Sequence, residues 1–367
     1  MERKALANES QTDDENRGGL TVKRNKTPMI LGIAVMMLLA AGCSAAKNES
    51  ASSGAGSNVR NGTDAAGGAK ELQKAHLVEG WYAKGEDGGY FAALQQNYYE
   101  DAGIDMTIQP GGPQVSGLQL VASGQADFGI SYADDILRAR EQGIPVVGLL
   151  AGFQYTPQVL IYHAEDKIGG FEDLQGRTVF IQPGVLYWEY IKYKYKLTDV
   201  KELNYNGQLV NFLKTEDALN QGYITNEPYA LGEQGVKVNV LKIADSGYAN
   251  YCDVLFTTED YLQKHPDIVK AVVQASQKGW AYYLDNYKTV NPFIQTYNKD
   301  MAVEAMDYEA EQGKPFILND ETKANGIGYM TADRWNLIQN QLMEIGGLKA
   351  KQDVSKAFDT AFLETAK

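Results

Sequence analysis

An α/β fold with a mostly parallel sheet is predicted for the chain from about Lys70 onward. Three observations predict it. Short β-like runs alternate with helical stretches over most of that length. Helical stretches close on glycines, as at Gly103 and Gly143, where a left-handed residue ends a helix at little steric cost. The run from Ile104 to Pro110 alternates apolar and polar residues strictly, the period of a half-buried strand.

Taken in order, residues 74–81 read as a strand, 88–103 as a helix and 104–110 as a strand. Gly111-Gly112-Pro113 is a turn, and Ser116 stands where it would cap the next helix. A strand (126–132), a helix (133–143) and two strands (145–153 and 157–163) follow. A second set repeats the rhythm. It has a strand within 173–184, a helix at 187–197, a strand at 200–206 and a short helix at 207–215. It ends with a strand at 218–225, a helix at 227–235 and a strand at 236–247. Beyond Tyr251 the chain reads as mainly helical to its end, with Thr258 suited to a helix start.

The N-terminus reads as an address. Lys23, Arg24 and Lys26 precede the apolar run "PMILGIAVMMLLAA" at 28–41, which is shorter than the roughly 20 residues that span a bilayer. The run leads through Gly42 into Cys43, and "LAAGC" resembles a bacterial lipobox, so 1–42 is expected to be a signal peptide and Cys43 to be lipidated. Residues 1–21 are polar and acidic, unlike a basic signal start, which places the expected translation start near Val22. Residues 43–69 are rich in Ser, Gly, Ala and Asn and cannot bury a core, so they are expected to form a flexible tether.

Composition excludes several classes. The formal net charge is −13 and no basic run follows the signal, so nucleic acid is not an expected partner. Two cysteines and three histidines offer no metal site of familiar spacing, and no metal or cofactor is expected. Nucleophile-elbow, Walker and zinc-protease motifs are all missing from the sequence, so no enzyme activity is expected. The 23 tyrosines are the unusual feature, since a phenol joins an apolar face to a polar tip.

Several segments resemble one family. They are the Pro110–Pro113 turn, Val121 to Gly129 ("VASGQADFG"), Gly143 to Val147 ("GIPVV"), Asp173 to Val179 ("DLQGRTV") and Gln221 to Tyr229 ("QGYITNEPY"). Together they resemble extracytoplasmic solute-binding proteins of ABC importers, of the thiamine-pyrimidine-precursor type and the related sulfonate, nitrate and taurine binders. The resemblance implies a two-lobed, type II periplasmic-binding-protein-like α/β fold with two crossovers and a C-terminal helical part. One lobe is then expected at 70–160 plus 252–367 and the other at 161–251. It also implies a small-molecule ligand in the cleft, a permease and an ATPase as partners, a lipid-anchored location outside the cell membrane, and a monomer. A branch of this family makes the thiamine pyrimidine using histidine and a cysteine cluster; this chain has no such cluster.

Ligands of open α/β sheets sit at the carboxyl ends of strands. The strand-end loops therefore supply the candidate ligand residues. Trp81, Tyr82 and Tyr90 follow the first strand, and Gly111 and Gly112 the second. Ser131 and Tyr132 follow the third, and Tyr155 lies near the crossing. Tyr187, Trp188, Asn226 and Glu227 come from the second set, with Glu227 as an acceptor for an amine or ring N–H. Rings, amides and a carboxylate favour a flat heterocycle: a thiamine-precursor pyrimidine first, riboflavin next, a sulfonate, nitrate or taurine last.

Overall fold

The computed structural model describes residues 71–112 and 114–365, so the signal segment, Cys43 and the tether lie outside the described residues. Ten strands follow in chain order: β1 (Gln73–Val78), β2 (Ile104–Gln109), β3 (Phe128–Ser131), β4 (Val146–Phe153) and β5 (Gln158–His163), then β6 (Thr178–Ile181), β7 (Lys201–Asn204), β8 (Ala218–Tyr223), β9 (Val238–Lys242) and β10 (Cys252–Thr258). They form two five-stranded sheets among the described residues, ordered β2-β1-β3-β10-β4 and β7-β6-β8-β5-β9. The chain leaves the first sheet after Phe153 and enters the second at Gln158. It returns between Lys242 and Cys252.

Both sheets are mixed: in each, four strands share one direction, as expected, and one runs against them. β1 runs parallel to β2 and β3, but β10 is antiparallel to β3 and β4. In the second sheet β6 runs parallel to β7 and β8, but β5 is antiparallel to β8 and β9. The cause is geometric. β5 and β10 are each the first strand after a crossing, so each starts at the edge where its neighbours end. The sequence reading also left β10 unassigned. Its residues "CDVLFTT" are buried up to Thr257, so they carry no alternation to read.

Other differences are local. The helix expected over 88–103 is interrupted at Asn97, whose φ of 58° is left-handed, a conformation asparagine tolerates. The helix expected at 207–215 shrinks to Val210–Leu213, and the strand expected at 236–247 gives way to a 3₁₀ turn after Lys242. Ser116 and Thr258 cap as expected, accepting from the amides of Gln119 and Tyr261.

Each sheet is covered on both faces. Leu77 and Val78 are consecutive, yet they enter different cores, one around Trp280 and the other around Trp335. Val159 and Leu160 divide in the same way in the second sheet. The C-terminal helices Pro266–Ile294, Val303–Ile317 and Ala332–Glu344 supply Trp280, Met306 and Trp335 to the first sheet. The helix Gly88–Gln95 lies unusually close to Pro266–Ile294. A Cβ on Gly89 would stand 2.1 Å from the Trp280 ring, and one on Gly279 would stand 2.1 Å from the Gly89 carbonyl oxygen. The second clash is with backbone, which no rotamer relieves. Gly279→Ala is therefore expected to destabilise the protein by about 1–3 kcal/mol, although alanine is the better helix former. A lower urea midpoint at constant slope checks it, and an unchanged midpoint would show that the two helices can part freely.

Candidate functional site in the inter-lobe cleft

Side chains from the loop after β1 and from the end of β3 meet side chains from the end of β8 across the cleft. The loop after β1 reaches furthest. Its 3₁₀ turn Gly85–Asp87 is held to the C-terminal helical part by the Gly85 amide, which donates to Glu309 Oε2 at 2.7 Å. Lys84 is ion-paired to Glu86 and lies 4.8 Å from the centre of the Tyr223 ring in the second lobe. Glu86 accepts the hydroxyl of Thr225, also in the second lobe. The Tyr132 hydroxyl, just beyond β3, meets that of Tyr223.

The second-lobe wall is built around the end of β8. Pro228 in the first turn of helix Glu227–Glu233 fixes its start. Glu227 accepts from the Tyr223 amide at 2.7 Å and from the Tyr205 hydroxyl at 3.4 Å. Burial raises the Glu227 pKa, partly offset by that amide and by Lys84 across the cleft. Tyr187 is buried beside them. Its phenol is pushed well up by burial, and by the neighbouring Tyr223, Glu227 and Tyr205.

Behind the first-lobe loop lie four more carboxyls: Glu79, Asp87, Asp253 and Glu309, none more than 8% exposed. Both oxygens of Glu79 and one of each of the others have no hydrogen-bond partner. Burial is the main cause that raises the pKa of all four, and Asp87 is pushed up to about 7. Burial alone would lower Lys84, but Glu86, Glu309, Tyr223 and Asp87 outweigh it and hold the ammonium charged. Among the described residues, no group of three or more His, Cys, Asp or Glu is arranged to hold a metal ion.

The residues singled out from sequence are distributed unevenly. Tyr132, Tyr187 and Glu227 join the inter-lobe cluster, and Asn226 begins the helix that carries Glu227. Trp81 and Tyr82 stand exposed, edge to face at 5.5 Å. Gly111 donates its amide to the Trp81 carbonyl at 2.7 Å, so that amide closes a turn instead of facing a ligand. A Cβ on Gly111 would also stand 2.2 Å from the Glu79 carbonyl oxygen. Gly112, at φ 151°, lies under the Tyr82 ring. Ser131 ends β3 opposite Val254. Tyr90 is fully buried, donating to the Asp253 carbonyl at 3.3 Å. Trp188 is buried in the second-lobe core, and Tyr155 lies under the guanidinium of Arg334, 4.4 Å away. Sequence reasoning missed Lys84, Glu86, Tyr205, Tyr223 and Thr225. The charged cluster Lys84-Gly85-Glu86-Asp87, in the loop after the first strand, was the available signal.

The chain matches the NMT1/THI5-like family over residues 86–289, more than half its length, and belongs to it. Among curated relatives, the riboflavin-binding protein RibY of Chloroflexus aurantiacus is 25% identical, over 80% of this chain and 86% of its own. The formylaminopyrimidine-binding protein of Halalkalibacterium halodurans is 24% identical, over 74% and 86%. A 4-amino-5-hydroxymethyl-2-methylpyrimidine phosphate synthase of Legionella pneumophila is 23% identical, over 56% and 68%. The fold is that of the sulfonate-binding protein SsuA of Escherichia coli, at TM-score 0.62, 14% identity, 80% of this chain and 95% of the other. The periplasmic-binding-protein architecture expected from sequence is therefore present. No helix among the described residues is long and apolar enough to cross a membrane.

Asp87 gives this site a pH signature. Its ordinary carboxyl value is about 3.9, so between roughly pH 4 and 7 the folded chain keeps a proton that the unfolded chain has released. Folding then binds protons, and stability falls as pH rises through that window. Glu79, Asp253 and Glu309 act with the same sign. Asp87→Asn is expected to gain on the parent by on the order of 1–4 kcal/mol between pH 5 and pH 8. Urea midpoints at the two pH values measure it, and an equal difference at both would contradict the assignment.

Proposed function

We propose that this chain is the solute-binding subunit of an ABC importer, held outside the cell membrane by lipid on Cys43. Its ligand on this reading is a small flat heterocycle carrying an N–H donor, with a thiamine-precursor pyrimidine first. The observation that carries it is the chemistry of the cleft. Tyr187, Tyr205 and Tyr223 gather round the Glu227 carboxylate, Tyr132 meets the Tyr223 hydroxyl, and Lys84 is already matched by Glu86. Phenols offer flat apolar faces, and the Glu227 carboxylate, which already accepts from the Tyr223 amide and the Tyr205 hydroxyl, has further lone pairs for a ligand N–H. A sulfonate would instead meet carboxyls where an anion site presents arginine and free helix amides. Two relatives are named for binding a formylaminopyrimidine and riboflavin, both flat nitrogen heterocycles. The exposed Trp81 and Tyr82 stand free to stack on such a ring. With a relative named for riboflavin, a flavin is the second reading, and the same test covers it.

Calorimetry on the full chain in detergent, with 4-amino-5-hydroxymethyl-2-methylpyrimidine, its formylamino relative, riboflavin and an alkanesulfonate, decides the class. A heterocycle is expected to bind, and Glu227→Ala to weaken it about 10–100-fold. Binding of the sulfonate alone would sink this reading. Anchoring is tested separately. Labelled palmitate is expected on the parent and absent from Cys43→Ser, and label retained on the variant would exclude Cys43 as the acceptor.

A further inference from the structure

The loop after β1 pairs Lys84 with Glu86 and also carries both across the cleft, where Glu86 meets the Thr225 hydroxyl and Lys84 lies against the Tyr223 ring. Glu86 is 5% exposed and divides its two oxygens between Lys84 and the Thr225 hydroxyl of the opposite lobe. A carboxylate oxygen takes a charge-matched or amine donor more strongly than a neutral hydroxyl. Thr225 is therefore a weak partner for so deeply buried a group. Lys84 is fixed in place by Glu86 and the carboxyls behind it, and faces the Tyr223 ring. The Gly85 bond to Glu309 holds the turn that carries both. The cleft thus contains a donor beside an acceptor on a rigid frame. That pattern is complementary to one edge of a heterocycle, where a ring nitrogen or carbonyl adjoins an amine or N–H.

We propose that Lys84 and Glu86 are specificity-determining residues, reading such an amidine or lactam edge from the first lobe, with the ligand's N–H replacing Thr225 on Glu86. This rests on the heterocycle reading of the same cleft and extends it, since Glu227 acts from the second lobe. The pair selects against ring systems whose corresponding edge lacks an N–H, because Glu86 is then left without the stronger partner. The competing account is that Glu86 and Thr225 only latch the lobes shut.

The two accounts separate by calorimetry on the full chain, using 4-amino-5-hydroxymethyl-2-methylpyrimidine and its 4-methoxy counterpart, which has no donor at that position. The parent is expected to favour the amino compound. Glu86→Gln is expected to weaken the amino compound by about tenfold or more and to remove most of its advantage over the methoxy compound. Thr225→Val is expected to leave the amino affinity within about threefold, because the ligand displaces that hydroxyl. Glu86→Asp keeps the charge and withdraws the oxygens, so it should lose affinity while the order of preference survives. Unliganded melting curves confirm that each variant is folded, and Glu86→Asp decides if Glu86→Gln is not. Equal weakening by Thr225→Val and Glu86→Gln would make the pair a latch and overturn the proposal. So would an intact amino preference in Glu86→Gln, or a lost one in Glu86→Asp. Failure of the parent to bind either compound would instead remove the heterocycle reading beneath it.

Discussion

Parallel strands must all end at one edge of their sheet, and a chain that serves two sheets has to cross at that edge. Here it crosses twice, once between Phe153 and Gln158 and once between Lys242 and Cys252. Much of the architecture follows from this. The first strand after each crossing begins where its neighbours finish, so β5 and β10 are antiparallel members of otherwise parallel sets. The strand ends of both lobes face one another, so loop residues far apart in sequence become neighbours. Glu86 and Thr225 are 139 positions apart, and Tyr132 and Tyr223 are 91 apart. The cleft is a consequence of connectivity before it is a consequence of any side chain.

The same constraint explains what the sequence disclosed. Strands with one exposed face or a clear turn at each end were legible, as at Ile104–Gln109 and Val146–Phe153. Helix starts with a capping hydroxyl were legible at Ser116 and Thr258. β10 was not, because a central strand buried on both faces loses its alternation and lies beside helix-like sequence. Site residues divided by a similar rule. Glu227 was legible from its place before Pro228 at a helix start. Lys84 and Glu86 were not, because a charged run after a strand usually faces water. Only the second lobe, brought over by the crossings, encloses them. Tyr90 and Trp188, candidates from their places near strand ends, are packed in the cores, which aromatic residues at such positions serve readily.

Electrostatics gives the first lobe its distinctive cost. Carboxyls buried without partners are expensive if charged, and protonation is the usual relief. Glu79, Asp87, Asp253 and Glu309 all move that way. Lys84 stays charged in a site where burial alone would discharge it, because acids surround it. A mobile lysine on a surface loop would make a poor reader of ligand shape, since its rotamers are too many. A lysine held by its neighbours and braced through Gly85 and Glu309 is preorganised, and preorganisation lowers the entropy that binding must overcome.

Fold and specificity therefore lie in separable parts of the chain. The fold is shared with a sulfonate-binding protein at 14% identity, so the scaffold by itself does not say what this chain binds. On the heterocycle reading, it is the loop side chains, and not the strands, that set the selectivity of the cleft. Closure adds to this selectivity. The lobes meet through Tyr132, Glu86 and Lys84 on one side and Tyr223 and Thr225 on the other. A ligand entering there competes with contacts the two lobes already make. On the proposal made for Glu86, it is retained only if its bonds exceed those it displaces, a threshold that an amine donor exceeds more readily than an ether does.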